Sequence, residues 1–425
     1  MNIEQDLSQK GRRILIAITG SIAAVKTPMI VSSLIKAGAE IRCVVTPSAS
    51  RLVSPLSLST LSRNRCYQDQ DQWDPKESKP LHIELAEWAE IIVVAPLSAS
   101  SLARWVHGLA DGLLANILLA SETPVIAAAA MNTGMWENIC VKQNWAALDN
   151  FPRVIKLDPS KGLLACDRIG EGKMANTEVI QLAIESAFIR ITNNPFLKRD
   201  WEDLNLLVTA GATIESLDPA RQISNKSTGL MGVLICQAAK LRGANVDLIH
   251  GNIQISEFLL EGLNTFKALD ADEMQNKLKI LQCSADVIAM NAAVSDVRKK
   301  GGENQNKLQK EFLIQSLSND LELVPDLLSQ LCSKKNPNQV ILGFAALTGT
   351  DKEIKALAEA KRIQKGCDLI LANPIDRPKQ GFGENLNGGF LLGSNGLVKE
   401  IPIQSKFELA NKLLDELLEF KSKNF

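Results

Sequence analysis

Histidine and tyrosine are scarce in this 425-residue chain, which has three of the first and one of the second, and aromatic residues make up only 4% of it. Eight cysteines are present, but no two of them form a Cys-x-x-Cys pair. Such a composition argues against zinc sites, and unpaired thiols are typical of proteins in a reducing compartment. We therefore expect a cytoplasmic protein in which most thiols are buried.

An excess of charge of one sign is also missing. The 47 Lys and Arg residues nearly balance the 48 Asp and Glu residues, for a formal net charge of -1. This balance argues against a nucleic-acid-binding surface over the whole molecule. No apolar run approaches the ~18 residues of a membrane helix, and Glu4 and Asp6 do not fit the basic start of a signal peptide. We expect neither nucleic acid nor a membrane as a partner.

Two segments of the chain begin in the same way. ILIAITGSIAAVK, residues 14–26, and LLVTAGATIESLD, residues 206–218, are both apolar runs that break at a glycine and lead toward a helical pattern. Neither matches Gly-x-Gly-x-x-Gly, which disfavours an oxidoreductase with two nicotinamide-binding domains. The repeat and the length of the chain predict two domains, each with a nucleotide-binding site.

Short apolar runs alternate with helical stretches in both halves. Near-continuous apolar strands that helices separate indicate parallel sheets covered on both faces. The predicted fold class is therefore α/β, with two doubly wound, mainly parallel-sheet, Rossmann-like domains. The predicted strands are 14–19, 41–46, 91–95, 124–129, 154–157, 206–209, 246–249, 287–290, 340–344 and 369–372.

The domain boundary is predicted from turn-forming residues. Asn193, Asn194 and Pro195 follow a helical stretch and precede mixed charge, which predicts a linker at 191–203 between domains 1–190 and 204–425. A glycine-rich basic segment at 298–311 is predicted to be a mobile flap. A final core helix is expected over residues 406–421.

Three residues of the first half carry the clearest chemical signal. Gly20-Ser21 opens a helix whose first amides can face an anion, and His82 in HIEL, Asn132 in AMNTGMW and Cys166 in ACDRIGEGKM follow in order. Alone, each has an ordinary structural explanation, as a surface histidine, a helix cap or a core thiol. Together the four motifs resemble the flavin-dependent cysteine decarboxylases, in particular phosphopantothenoylcysteine decarboxylase, over residues 13 to 185.

This resemblance implies a decarboxylase that uses FMN. Carbon dioxide can leave the cysteine carboxylate because the flavin accepts the electrons, and the oxidised product is later reduced again. The family assigns His82 as the acid–base residue, Asn132 as the holder of the substrate carboxylate and Cys166 as the proton donor. It further implies a trimer with FMN buried between subunits. The implied FMN contacts are Gly20, Ser21, Ile22, Thr46 and Ser98.

Two positions in the first half depart from the family pattern. Asp167 stands where related proteins commonly have glycine, which bears on the mobility of the segment that carries Cys166. Asp111-Gly112 replaces the usual Asn-Asp, which bears on a flavin or substrate contact.

The second half has a long loop, TAGATIESLDPARQISNKSTGLMG, at residues 209–232. A Rossmann-type loop for any nucleotide is the ordinary interpretation. Its Gly-x-Thr-x-Glu, Asp-Pro-x-Arg and Ser-Asn-x-Ser-x-Gly motifs are similar to those of phosphopantothenate-cysteine ligase. The resemblance implies that CTP, with Mg²⁺, activates 4'-phosphopantothenate as an acyl-cytidylate, which the amine of cysteine then attacks. Cations and positioned donors must take up the charge that develops.

The same resemblance implies roles for individual residues. Asn225 would stabilise the acyl-cytidylate with the help of Arg221, and Lys307 of the flap would act in catalysis, although a shift of three residues would select Lys310 instead. Lys361 and Lys365 have the spacing of an ordinary solvated helix face. The implied CTP contacts are Met290, Asn291, Ala292, Asp296, Lys307, Val324, Pro325, Asp326, Leu327, Phe344, Lys361 and Lys365. No side chain is assigned as a metal ligand.

Three positions near the implied nucleotide depart from the ligase pattern. Leu347 replaces an acidic residue, Val324 replaces the asparagine of Asn-Pro-Asp, and Val297 replaces an aromatic residue. The preference for CTP is therefore inherited from the family rather than visible in this chain.

Together the two resemblances predict a bifunctional enzyme of coenzyme A biosynthesis, trimeric through its first domain and dimeric through its second. Two alternatives stay open. One is a flavin-dependent decarboxylase of another cysteine-containing substrate, and the ligase-like second half disfavours it. The other is a non-enzymatic regulatory module with a flavoprotein fold, which the presence of His82, Asn132 and Cys166 together disfavours.

Overall fold

The computed structural model describes residues 9–75, 79–191, 199–394 and 396–424. The chain divides into two units, Met1–Arg199 and Asp200–Phe425. Residues 192–198 of the predicted linker lie outside the described residues. Trp201, which the prediction placed in that linker, is fully buried in the second unit, where its amide donates to the carbonyl of Arg242 over 3.1 Å. Each unit is described by itself below.

The first unit contains a six-stranded sheet in the order β3-β2-β1-β4-β5-β6, and every pairing in it is parallel. Aliphatic residues fill the strands, and all seven residues of β4 are buried because helices cover both faces of the sheet. The strands are β1 Arg13–Ile18, β2 Glu40–Val45, β3 Cys66–Tyr67, β4 Ile91–Leu97, β5 Val125–Ala129 and β6 Val154–Leu157.

A short antiparallel hairpin, β7 Ser160–Leu163 and β8 Ile169–Lys173, follows the sheet. The helices of this unit pack around the central strands, with Leu85, Leu113 and Ile117 fully buried among them. They are α1 Thr27–Lys36, α2 Pro55–Ser62, α3 Leu81–Trp88, α4 Ala99–Val106, α5 Leu113–Ala120, α6 Thr133–Trp136, α7 Ile139–Ala147 and α8 Thr177–Ile191.

The second unit contains an eight-stranded sheet in the order β13-β12-β9-β14-β17-β18-β19-β20. Its first six strands are parallel, and β19 and β20 extend it in antiparallel fashion. The strands are β9 Asn205–Ala210, β12 Asn245–His250, β13 Asn264–Lys267, β14 Val287–Met290, β17 Val340–Leu347, β18 Leu369–Pro374, β19 Leu386–Gly393 and β20 Val398–Ser405. Two small ribbons lie beside it, β10 Ile214–Asp218 with β11 Arg221–Ser224, and β15 Val297–Lys299 with β16 Leu321–Leu323.

Helices again cover the faces of this sheet, and Met274, Leu278 and Ile354 pack in the core beneath them. The segment predicted as a flap, 298–311, is part of β15 at one end and enters a helix at Lys310 at the other. The helices are α9 Leu230–Leu241, α10 Ala271–Leu281, α11 Lys310–Asn319, α12 Leu327–Ser333, α13 Asp351–Lys365 and α14 Lys406–Asn424. In the described part of the chain, none of them is both long and apolar enough to cross a bilayer.

The two parallel sheets confirm the predicted fold class. The predicted strands coincide with observed ones to within a few residues at each end. The expectation that most thiols are buried is only half right: Cys43, Cys66, Cys236 and Cys367 are buried. Cys140, Cys166 and Cys283 are exposed, because they lie on a surface helix, in a turn and at a helix end rather than in a strand.

Candidate active sites

A cavity of about 470 Å³ opens at the carboxyl ends of β1, β4 and β5 in the first unit. Ligands of open α/β sheets bind at this edge, where strand order reverses. Here β1 lies between β2 and β4, so the loops after β1 and β4 diverge to opposite faces. Among the residues that line the cavity are Gly20, Ser21, Ile22, Ser98, Asn132 and Cys166.

The hydroxyl of Thr19 fixes the floor of this cavity. Its Oγ1 donates to the carbonyl of Pro96 over 2.7 Å and accepts from the amide of Ser98 over 2.8 Å. Ser98 then caps α4, since its Oγ accepts from the amide of Ser101 over 3.3 Å. Gly20 follows Thr19 directly, and a Cβ there would lie 2.5 Å from the Cβ of Ser48. A side chain larger than hydrogen therefore cannot occupy this turn without moving Ser48.

Two glycines dock the hairpin β7–β8 against the loop after β5. A Cβ at Gly170 would lie 2.4 Å from Oγ1 of Thr133, and one at Gly172 would lie 2.2 Å from the carbonyl oxygen of Met131. The amide of Met131 also donates to the carbonyl of Gly172 over 3.0 Å. This close backbone approach gives a physical reason for both glycines of the Ile-Gly-x-Gly motif.

The docked hairpin brings Cys166 to Asn132. Nδ2 of Asn132 lies 3.2 Å from Sγ of Cys166 and donates to it. Oδ1 of the same amide accepts from the backbone of Gly134 over 2.9 Å, so the orientation of the amide is fixed from both ends. Both side chains are exposed and line the cavity. Thiol and amide can therefore reach one bound molecule together.

The turn that carries Cys166 contains a strained residue. Asp167 has a φ of 59°, in the left-handed region where a Cβ is unfavourable. The turn is closed by the amide of Asp167, which donates to the carbonyl of Leu164 over 3.0 Å, and by the amide of Leu164, which donates to Arg168 over 2.9 Å. Glycine adopts this conformation at lower cost than aspartate.

Two predicted residues of the first site lie outside this cavity. His82 is half-buried in the first turn of α3 and is not among the cavity-lining residues. Thr46 donates its amide to the carbonyl of Ile18 over 3.1 Å and accepts from the amide of Ala49, which ties it to the end of β2. Within one chain, the structure thus joins Asn132 and Cys166 but does not bring His82 to them.

The cavity walls fit a flavin nucleotide. Ile22, Met131 and Leu164 provide apolar surface, and the lining also contains the hydroxyl of Ser21 and the start of the helical segment Ile22–Lys26. A ligand site of this kind combines an apolar wall with a few placed polar groups, and amides at the start of a helical segment suit a phosphate. The residues present could therefore hold the ring system of a flavin and its phosphate.

The second unit has a larger cavity, of about 550 Å³, at the carboxyl ends of β9, β14, β17 and β18. Gly229 caps α9 with a φ of 81°, and a Cβ there would lie 3.2 Å from the amide nitrogen of Gly211 and 2.5 Å from Cγ2 of Ile253. Three loops therefore meet at the start of α9. Of these loops, the one that enters α9 lines the cavity, with Ser227, Thr228 and Gly229.

Asn225 links two of the loops around this cavity. Its Nδ2 donates to the carbonyls of Ala293 and Val294 over 3.2 and 3.0 Å. Nearby, Oγ1 of Thr213 accepts from the amide of Ser295 over 2.9 Å. These bonds use the side-chain nitrogen of Asn225. Its side-chain oxygen can accept a hydrogen bond from a ligand in the cavity, which Asn225 lines.

Asp218 and Arg221 hold the segment that contains Lys307. Oδ2 of Asp218 accepts from Nη1 of Arg221 over 2.8 Å and from the amide of Leu308 over 3.1 Å, and Arg221 donates to the carbonyl of Leu308 over 3.0 Å. Burial alone would raise the pKa of Asp218. The amides of Ala220 and Leu308 and the Arg221 guanidinium outweigh it, so the pKa is lowered. A buried carboxylate thus clamps the residue next to Lys307.

Charged side chains line the opposite wall. Asp326 caps α12 by accepting from the amide of Ser329 over 3.1 Å, and its other carboxylate oxygen pairs with Lys365 of α13. Lys361 lies one turn earlier on the same helix, and Phe344 of β17 lines the same cavity. Lys361 and Lys365 are four residues apart, which is typical of a solvated helix face. In this structure the same spacing brings both ammonium groups to the cavity.

Most of the residues predicted to contact CTP line this cavity, but two predicted catalytic residues do not. Arg221 acts on the neighbouring segment instead, and Lys307 is exposed outside the lining. Ser227, Thr228 and Lys406 line the cavity, although no role was predicted for them. The first two belong to the recognised Ser-Asn-x-Ser-x-Gly stretch and could have been found there, whereas Lys406 opens a distant helix and gives no local signal. The predicted residues in the lining are Asn225, Met290, Asn291, Ala292, Asp296, Val324, Pro325, Asp326, Leu327, Phe344, Lys361 and Lys365.

Two family models match the two halves of the chain. The model described as Flavoprotein matches residues 2–188, and the one described as DNA/pantothenate metabolism flavoprotein C-terminal domain matches residues 201–420. Among solved structures, a cysteine-to-serine variant of PPC decarboxylase complexed with pantothenoylaminoethenethiol is 35% identical. It covers 41% of this chain and 97% of its own, with a TM-score of 0.39.

Similar proteins match along nearly the whole length. The coenzyme A biosynthesis bifunctional protein CoaBC of Bacillus subtilis strain 168 is 34% identical over 412 residues, which are 96% of each chain. The protein of the same name from Haemophilus influenzae is 36% identical over 414 residues, 96% of this chain and 98% of its own. These matches confirm the resemblance that the motifs gave in both halves. The chain belongs to the CoaBC family of bifunctional proteins of coenzyme A biosynthesis.

Proposed function

We propose that the second unit joins 4'-phosphopantothenate to cysteine at the expense of CTP, and that the first unit decarboxylates the resulting phosphopantothenoylcysteine to 4'-phosphopantetheine. Family membership over the whole chain supports both reactions. The assignment of decarboxylation to the first cavity is supported by the contact of 3.2 Å between the Asn132 amide and the Cys166 thiol, both of which line that cavity.

FMN is the cofactor that we propose for the first unit, where it supplies a two-electron acceptor and donor when bound. The hydroxyl of Ser21 and the first amides of the helical segment Ile22–Lys26 would hold its phosphate, and Gly20 and Ser98 would lie beside the cofactor. The amide of Asn132 orients the carboxylate that is lost. The thiol of Cys166 then delivers a proton to the substrate carbon in the reductive step, and its exposed turn lets it approach.

A second copy of the chain completes the first site in this proposal. His82, the expected acid–base residue, is not in the lining of the cavity within one chain. Ile22, Val25 and Met29 expose large apolar side chains beside the cavity, as subunit interfaces do before assembly. We therefore propose a trimer through this unit, in which His82 of one copy reaches the cavity of another.

The ligase reaction needs a carboxylate to become a good leaving group. In the proposed reaction CTP binds with Mg²⁺ held by its phosphates, and Lys361 and Lys365 offset the charge of those phosphates. The carboxylate of 4'-phosphopantothenate attacks the α-phosphate, pyrophosphate leaves, and the acyl-cytidylate rests against Asn225. The amine of cysteine then displaces CMP. Arg221 and Asp218 position the segment with Lys307 during these steps.

The experiment that tests this proposal is a coupled product analysis. The purified full-length protein is incubated with FMN, 4'-phosphopantothenate, cysteine and Mg²⁺, with either CTP or ATP. We expect one pyrophosphate per phosphopantothenoylcysteine formed, followed by loss of carbon dioxide and the mass of 4'-phosphopantetheine. Absence of pyrophosphate with every nucleotide would contradict the ligase assignment, and product that stops at the cysteine adduct would contradict the decarboxylase assignment.

A further inference from the structure

Lys406 is a buried cation at the edge of the ligase cavity. It is the first residue of α14, it lines the cavity, and only 6% of it is exposed. Its Nζ lies 3.4 Å from the carbonyl oxygen of Gly381, at the long end of the range for a hydrogen bond. An ammonium group carries three donors. The protein therefore satisfies little of the hydrogen-bonding capacity of this group.

Among the residues that the structure describes, no carboxylate forms an ion pair with Lys406, and the one hydrogen bond of its ammonium group is the long contact with Gly381. Burial lowers the pKa of Lys406 to about 8, and the exposed carboxylate of Glu384 only partly opposes this effect. A buried charge without a close partner costs free energy, and an apolar side chain of the same length would avoid that cost. A residue that is costly in the free protein is commonly one that acts on a ligand.

The position of Lys406 relates it to the other anion-binding features of the cavity. β20 is parallel to β18, since each is antiparallel to β19, so α14 begins at the same edge of the sheet as α9. Both helices therefore direct their amino-terminal ends toward this edge. Lys361 and the paired Lys365 line the wall that α13 forms. The cavity thus has cationic groups on two separate walls.

Two separate walls suit two separate anionic groups. The ligase reaction that we propose above brings together the triphosphate of CTP and the phosphate of 4'-phosphopantothenate. We infer that Lys406 binds a phosphate group of one of these two substrates, at a subsite distinct from that of Lys361 and Lys365. This inference rests on the proposed ligase function. It gives an underpaired lysine beside the cavity a ligand to bind.

The test compares Lys406→Met with the full-length wild type in two binding titrations, one with CTP and Mg²⁺ and one with 4'-phosphopantothenate alone. No reaction occurs in either titration, because the first lacks 4'-phosphopantothenate and the second lacks CTP. Loss of a charged hydrogen bond to phosphate is expected to weaken binding of one ligand about tenfold or more, and to leave the other within about twofold. The ligand that is weakened identifies the phosphate. Steady-state pyrophosphate release should show the same change in the KM of that substrate.

Lys412→Met is the matched control, because Lys412 is on the same helix and outside the cavity lining. It is expected to bind both ligands as the wild type does. Thermal unfolding of Lys406→Met should begin no lower than that of the wild type, which separates a binding role from a structural one. Two results would overturn the inference: unchanged binding of both ligands by Lys406→Met, or equal weakening of both together with a lowered melting temperature. If the wild type still makes product, the proposed ligase function stands in either case. A wild-type protein that binds neither ligand would overturn both.

Discussion

The two cavities of this chain occupy the same place in related folds but differ in charge. Lys26 and Lys173 are the ionised side chains in the lining of the first cavity, as far as the described residues extend. The second cavity has Asp296 and Asp326 together with three lysines. An apolar cavity suits a cofactor that stays bound. Charged walls suit a nucleotide triphosphate, because charge develops on its phosphates during the reaction and its products then leave. A shared architecture thus supports two kinds of chemistry.

The largest effect is expected from Cys166→Ser. A hydroxyl is a far weaker proton donor than a thiol, so formation of 4'-phosphopantetheine should fall by about 10²- to 10⁴-fold, with an oxidised, decarboxylated product accumulating. Pyrophosphate release from the second unit should be unchanged. Mass spectrometry of the products checks both results. Cys140→Ser, which also changes an exposed thiol, is the control, and normal turnover by Cys166→Ser would refute the role of the thiol.

Gly172→Ala tests whether docking of the hairpin is what makes the first site. The added Cβ would meet the carbonyl oxygen of Met131 at 2.2 Å, so the hairpin must move away from Asn132. Decarboxylation of supplied phosphopantothenoylcysteine is expected to fall about 10- to 100-fold, again with the ligase unaffected. In the control Gly162→Ala, the nearest atom is Cδ of Lys173 at 3.4 Å. Equal activities of the two variants would show that the hairpin does not position Cys166.

Asp218→Asn makes the corresponding change in the second unit. The amide side chain cannot neutralise Arg221, and the segment next to Lys307 loses its clamp. We expect about 1 to 3 kcal/mol lower stability in urea unfolding and roughly tenfold slower pyrophosphate release, while decarboxylation continues at the wild-type rate. Because the pKa of Asp218 is lowered in the folded state, its stabilisation is present at neutral pH and is lost as the pH falls through the folded value.

The control for this variant is Glu303→Gln, which changes an exposed carboxylate on the same segment. If Asp218→Asn reduced both activities alike, the clamp would serve general stability and not the ligase site.

The smallest effect is a dependence of stability on pH. The pKa of Lys406 is about 8 in the folded state and returns to about 10.5 on unfolding. Between these values the unfolded chain binds more protons, so this lysine makes stability rise with pH. Lys406→Met should be more stable than the wild type at pH 7 by about 1 to 3 kcal/mol, with a difference that shrinks toward pH 10. A constant difference in urea unfolding across this range would show that folding does not shift the pKa of Lys406.

Much of the fold could be predicted because its strands are local apolar runs. The runs at 14–19, 91–95 and 287–290 became the central strands of two parallel sheets. The antiparallel strands β19 and β20 were missed because their pattern is irregular, with glycines and a bulge between Asn387 and Gly389. The hairpin β7–β8 was missed for a related reason, since its strands are four and five residues long, contain three glycines and are partly exposed.

The sites were predictable to the extent that each motif is continuous in the chain. Asn132 and Cys166 stand in two motifs that the hairpin glycines bring together, and the positions predicted to contact CTP come mostly from three short stretches. His82 was predicted from its motif. No feature of the sequence shows that, within a single chain, His82 is not among the residues that line the cavity. Roles for these residues stay predictions until the variants above are measured.

The sequence by itself determined the two α/β domains, the family and the residue types of both sites, because each depends on short stretches with a local pattern. Only the tertiary structure decided that Arg221 donates to the carbonyl of Leu308, that Asp167 adopts a left-handed conformation, and that Lys406 is buried at a cavity. These three facts depend on contacts between distant segments or on a backbone angle. Burial and charge pairing arise only when the chain has folded, so no local pattern can encode them.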